Sequence, residues 1–250
     1  MLTFLDESYG QGILIIGTLH IPTESERTFL HKGLLKIKND FKFLNKNGHV
    51  KEIKYSNLTS RKRFEIAKAT FDLFNKSYKS FFRAGVIQYT ENDLNKMHKL
   101  SNAPLPVKVK KAMLYTKIVE LLIKNNYEPR KINNGVLLMD NLVRCKGDNF
   151  NAIITDKLIN SKKPYLKHMS YIDSKEESTH VIQICDLLLG SLRSSFFKTK
   201  NKYKNNFSLY VRNKLNLPST INYWRKLKQG RAEAKFPKFT VRVYGVPYKY

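Results

Sequence analysis

The chain has few cysteines, few acids and no long apolar run, and each scarcity narrows what it can be. Its two cysteines, Cys145 and Cys185, cannot supply a four-ligand zinc cluster and read as reduced structural thiols of an intracellular protein. None of its six histidines stands four residues from another, which excludes a helical histidine pair for zinc. The most apolar stretch, Gly12 to Ile21, is about half of the ~20 residues that a membrane-spanning helix requires. The N-terminus lacks a basic segment ahead of an apolar one, so no signal peptide is expected. The expectation is a cytoplasmic protein with no membrane partner.

Acids are outnumbered most of all: 20 Asp and Glu stand against 46 Lys and Arg, a formal net charge of +26. That exceeds what solubility requires and favours a polyanionic partner, nucleic acid first. The excess is uneven. Residues 198–250 hold 14 Lys and Arg against Glu233 alone, a net +13. Rings such as Tyr203, Phe207, Tyr210, Tyr223 and Trp224 are interleaved with them. Cations for phosphates and flat rings for bases make a nucleic-acid surface. The expected contacts there are Lys198, Lys200, Lys202, Lys204, Trp224, Arg225, Lys226, Lys228 and Arg231.

The rest of the chain is long enough for one domain with a full core. Met1 to Asp6 and Gly12 to Ile21 read as two strands joined by a glycine turn, naturally a hairpin. Helical spacing runs over 24–41, 59–78, 107–125, 149–160 and 180–197. Strand-like runs cover 49–55, 80–89, 132–140 and 166–172. Strands first, then alternating helices and strands, predict an α/β fold: a mixed sheet covered by helices, residues 1–197, followed by the basic extension 198–250.

The acids that do occur in apolar surroundings carry the functional signal. Asp6 ends the first strand beside Glu7 and Ser8, Glu52 stands two residues from Lys54, Asp140 ends Val136-Leu-Leu-Met, and Asp186 lies inside Val181-Ile-Gln-Ile-Cys-Asp186-Leu-Leu-Leu. A carboxylate among Val, Ile and Leu is costly unless a cation or hydrogen-bond donors compensate it, so a divalent-metal site is the first hypothesis. Strand period puts Glu52 and Lys54 on one face, and helix spacing puts Gln183 beside Asp186.

Together these motifs resemble the bacterial "domain of unknown function 3800" family, which is similar to ribonuclease H-like nucleases: Phe4-Leu-Asp6-Glu7-Ser8, Glu52-Ile-Lys54, an apolar strand ending in Asp140, and Gln183-Ile-Cys-Asp186. The resemblance covers residues 1–197 and departs from the family pattern at Tyr9, where glycine is usual, and at Cys185, where alanine is. It implies a ribonuclease H-like domain and a metal-dependent nuclease acting on DNA or RNA. In such enzymes carboxylates hold two Mg²⁺ or Mn²⁺ ions about 4 Å apart. Asp6 would bridge the ions; Glu52, Asp140 and Asp186 would be further ligands, with Asp173 an alternative third acid. Lys54 would contact phosphate or orient water, Gln183 would donate a supporting bond, and Glu7 and Ser8 would brace the site. The family's settings suggest phage defence or a mobile element, with room for a protein partner. A non-catalytic nucleic-acid-binding module and an integrase-like strand-transfer enzyme remain open alternatives.

Overall fold

The computed structural model describes residues 1–10, 12–96, 106–128, 132–140, 148–197, 199–217, 233–236 and 238–244. The N-terminal hairpin forms as expected. β1 (Leu2–Gly10) and β2 (Ile13–Ile21) pair antiparallel from Leu2–Ile21 to Gly10–Ile13. Gly12 makes the turn at a φ of 73°, a left-handed conformation that glycine adopts without a side-chain penalty. β3 (Phe81–Gln88) continues the meander on the far side of β2.

Two parallel strands then extend the other edge: β4 (Gly135–Asp140) beside β1, and β5 (Leu166–Ile172) beside β4. The stretch after residue 197 also reaches this sheet. β6 (Glu233–Phe236) and β7 (Phe239–Tyr244) form a hairpin, and β7 runs parallel to β3. The result is one mixed seven-stranded sheet of order β5-β4-β1-β2-β3-β7-β6. The rings of Phe82 and Phe239, 4.8 Å apart, tie β7 to β3.

Helices cover both faces. α1 (Glu24–Asp40) starts where Thr23 Oγ1 accepts the Glu26 N–H, and α2 (Arg61–Lys76) where Ser60 accepts that of Arg63, each satisfying an amide donor that the first helical turn leaves open. They pack on one face of the sheet with α6 (Ile182–Arg193) and α7 (Lys202–Leu215). α4 (Val107–Tyr127) and the short α5 (Phe150–Ile154) cover the other, with a single π-turn after α5, and α3 (Glu91–Lys96) packs beside α4. β2 has every residue buried because it lies in the middle of a sheet covered on both sides.

One expected strand is absent. Residues 49–55 form no strand; their ladder contact is a lone bridge between Leu44 and Val50, and a short 3₁₀ turn, Tyr55–Asn57, follows. The alternation is nevertheless real, with Ile53 and Tyr55 buried between the less buried Glu52 and Lys54. Its cause is packing against α6. The Ile53 N–H goes to the Gln183 side chain and the Tyr55 N–H to Asp186, so side chains take the donors that a neighbouring strand would have used.

Candidate functional site

β1 and β4 are parallel neighbours, and Leu5 pairs with Met139. The next residue of each strand is an acid, Asp6 and Asp140, so both carboxylates leave the sheet at the same end. α6 lies across β1 and β2 and presents Asp186 to that end, while the loop before Tyr55 carries Glu52 and Lys54 over it. Four distant chain segments thus deliver the four acids to one region.

The contacts among them are specific. Lys54 Nζ lies 3.0 Å from Glu52 and 3.5 Å from Asp140. Ser174, just after β5, places its hydroxyl 2.6 Å from Glu52 Oε1 and 3.0 Å from Asp140 Oδ2. A hydroxyl carries one proton, so Ser174 donates to only one of these carboxylates at a time. Asp186 accepts the Tyr55 N–H, and Asp6 Oδ1 accepts the Glu7 N–H at 2.8 Å.

The electrostatics show a shortage of positive charge near Asp6 and Asp186. Burial pushes the Asp6 carboxyl well above its usual range, and the negative fields of Asp186 and Glu7 push it further, against one opposing hydrogen bond. Asp186 is raised to about 6, first by burial and then by Glu52 and Asp140, despite the Tyr55 N–H and Lys54. Lys54 shows the converse. Burial disfavours its ammonium, but the bond to Glu52 and the fields of Glu52, Asp140 and Asp186 outweigh that and raise its pKa. Crowded carboxylates in a partly buried site repel one another until a cation or a proton intervenes.

A buried frame holds these groups in place. Gln183 accepts from Ile53 N–H at 3.0 Å and from Lys38 Nζ at 2.6 Å, and donates through Nε2 to the Ser174 carbonyl at 2.9 Å. It is therefore both acceptor and donor, and it joins the loop of Glu52 to the loop of Ser174. Lys38 is fully buried and also lies 3.2 Å from His180 Nδ1. Burial lowers its pKa to about 7 against the fields of Glu52 and Glu177. Sequence reading missed Lys38 and Ser174. The sign of Lys38 was its place in the buried stripe Leu30, Leu34, Lys38 of α1, where a charged side chain needs partners.

The alternative acid Asp173 stands apart: it is exposed and accepts the Lys175 N–H in its own turn. Glu7 and Ser8 line a cleft of about 540 Å³ together with Asp186, Arg193, Lys200 and Lys204. Lys202 is exposed and places its ammonium over the Tyr203 ring. Lys198, Trp224, Arg225, Lys226, Lys228 and Arg231 lie outside the described residues. Among the described residues no three His, Cys, Asp or Glu side chains are arranged closely enough to hold a metal ion as they stand, and no helix is long and apolar enough to cross a membrane.

Compared with known proteins, the chain matches no family model and no curated protein sequence.

Proposed function

We propose that this chain is a metal-dependent nuclease with a ribonuclease H-like core, of the kind its motifs resemble. The observation that carries the reading is the convergence of Asp6, Glu52, Asp140 and Asp186 on one end of the sheet, with the Asp186 carboxyl raised to about 6 by burial and like charge. The run β3-β2-β1-β4-β5, antiparallel across its first three strands and parallel thereafter, supports the fold assignment. The net charge of +26 supports a nucleic-acid substrate.

The donor set fits a hard divalent cation: it consists of carboxylate oxygens, and the burial and like-charge repulsion that raise Asp6 and Asp186 are what a bound cation would offset. Asp6, Glu52, Asp140 and Asp186 would hold Mg²⁺ or Mn²⁺. The metal would supply activation of a water and charge stabilisation at the phosphate. The protein's own share is positional. Tyr55 N–H orients Asp186, Ser174 spaces Glu52 from Asp140, and Lys54 offers an ammonium to a phosphate oxygen beside them. Because the acids must ionise to bind a cation, metal affinity should rise as pH rises through about 6.

The test is incubation with labelled single- and double-stranded DNA and RNA in Mg²⁺, Mn²⁺ or EDTA. Cleavage should require the metal and fall at least 100-fold in Asp6→Asn and in Asp186→Asn, with circular dichroism unchanged, within the ~10²–10³ range seen on removing one key charge-stabilising group. Wild-type turnover in either variant would overturn the reading.

A further inference from the structure

We infer that the cleft beside Asp186 is a subsite for one nucleotide of a single strand, its phosphate held between Arg193 and Lys204; this rests on the reading of Asp6 and Asp186 as phosphodiester-cleaving acids. The cleft measures about 540 Å³, and its walls carry both acids, Glu7 and Asp186, and cations, Arg193, Lys200 and Lys204. Among the described residues none of these three cations has a carboxylate partner. Each is available to an anion from outside.

Tyr55 links the acid to the cationic wall of the cleft. Its N–H bonds Asp186, while its hydroxyl reaches Ser194 just after α6 and Ser208 on α7, the latter at 3.0 Å. The residue whose N–H holds Asp186 thus also carries the Lys204 ammonium over its ring, which places an acid and a cation beside one side chain. A strand whose scissile phosphate sits at the acids would place its neighbour at the cations.

The rings in the cleft position charge. Lys204 Nζ lies 5.7 Å from the Tyr55 ring centre and the Arg193 guanidinium 5.6 Å from that of Phe197, contacts that hold a cation over an aromatic face. Gly190 is pressed so close to Tyr55 that an added Cβ would come within 2.0 Å of the ring. Contact through the phosphate makes the subsite indifferent to base identity. A cleft of this size suits one small ligand, and a nucleotide enters such a pocket only from a single strand or by leaving its stack.

The experiment measures binding of the full chain to a labelled 12-nucleotide single strand, and to the same sequence as a duplex, in EDTA over a range of salt. Arg193→Gln/Lys204→Gln should weaken single-strand binding at least tenfold. It should also reduce the slope of log K against log salt by about 0.7, one phosphate contact. Lys200→Glu, an exposed change that leaves the Tyr55 contacts alone, should weaken it in the same sense if the double variant folds poorly. Unchanged affinity in the folded variants overturns the subsite, as does a duplex bound more tightly than the single strand and equally sensitive to them. Failure of the nuclease reading looks different: Asp186→Asn would keep cleaving while the Arg193 and Lys204 effects on binding persisted.

Discussion

Replacing Gln183 by Leu should separate the two loops that carry the acids, and the structure sets the scale of the damage. The change orphans the Ile53 N–H and the Ser174 carbonyl, both in buried residues, and removes the short bond from Lys38. Each buried neutral group left unpaired costs about 1–3 kcal/mol, so the pair loses about 2–6 kcal/mol. Leucine returns about 1–2 kcal/mol through apolar burial. Lys38 limits its own penalty by giving up a proton, since its pKa is already near 7. The net loss is about 0–5 kcal/mol, centred on about 2.5, a sizeable part of the 5–15 kcal/mol typical of a domain and measurable by urea denaturation at pH 8. Gln183→Glu is the control. It keeps acceptors for Lys38 and Ile53, loses only the donation to Ser174, and should cost about 1–2 kcal/mol. A loss for Gln183→Leu no greater than that for Gln183→Glu would refute the view that this side chain ties the site together.

Asp186→Asn should behave oppositely without metal. A carboxyl at about 6 rather than its usual 3.8 has its charged form disfavoured in the folded state, so stability falls as pH rises from 3.8 through 6 and stays lowered above; the variant should gain about 1–3 kcal/mol at pH 8 and little at pH 4 in urea melts, and destabilisation at pH 8 would contradict this. Gly190→Ala would push a Cβ into the Tyr55 ring and should cost at least about 1–3 kcal/mol by overpacking, read as a lowered melting temperature; an unchanged one would show that Tyr55 moves freely.

Much of the fold was legible because hydrophobic period reports burial directly. β1, β2 and α1 appear within a few residues of the expected positions because their apolar runs are buried against the cores on the two faces of the sheet. The segment around Glu52 shows the limit of that signal: alternation recorded which side chains are buried, but the surface burying them is a helix. The hairpin of β6 and β7 falls within the stretch whose excess of Lys and Arg, with interleaved rings, reads as a basic nucleic-acid-binding extension. Phe239, Val241 and Val243 alternate there as a strand should, and all three are buried beside β3. Deleting everything after residue 197 would therefore strip two strands from the sheet and α7 from its face, and would not isolate a binding surface. Asp6, Glu52, Asp140 and Asp186 could be picked out because acids in apolar runs are conspicuous. Ser174 could not, since a serine in a polar turn carries no sign of the two carboxylates that meet it.

The most direct measurement is Mn²⁺ binding to the full chain, followed by electron paramagnetic resonance at pH 8. The wild type should take up about two ions, Asp6→Asn and Asp186→Asn should lose at least one of them, and Asp173→Asn, whose carboxylate stays in its own turn, should bind like the wild type. Absence of bound Mn²⁺ in the wild type, or equal uptake by Asp6→Asn, would contradict the assignment of these acids as a metal site.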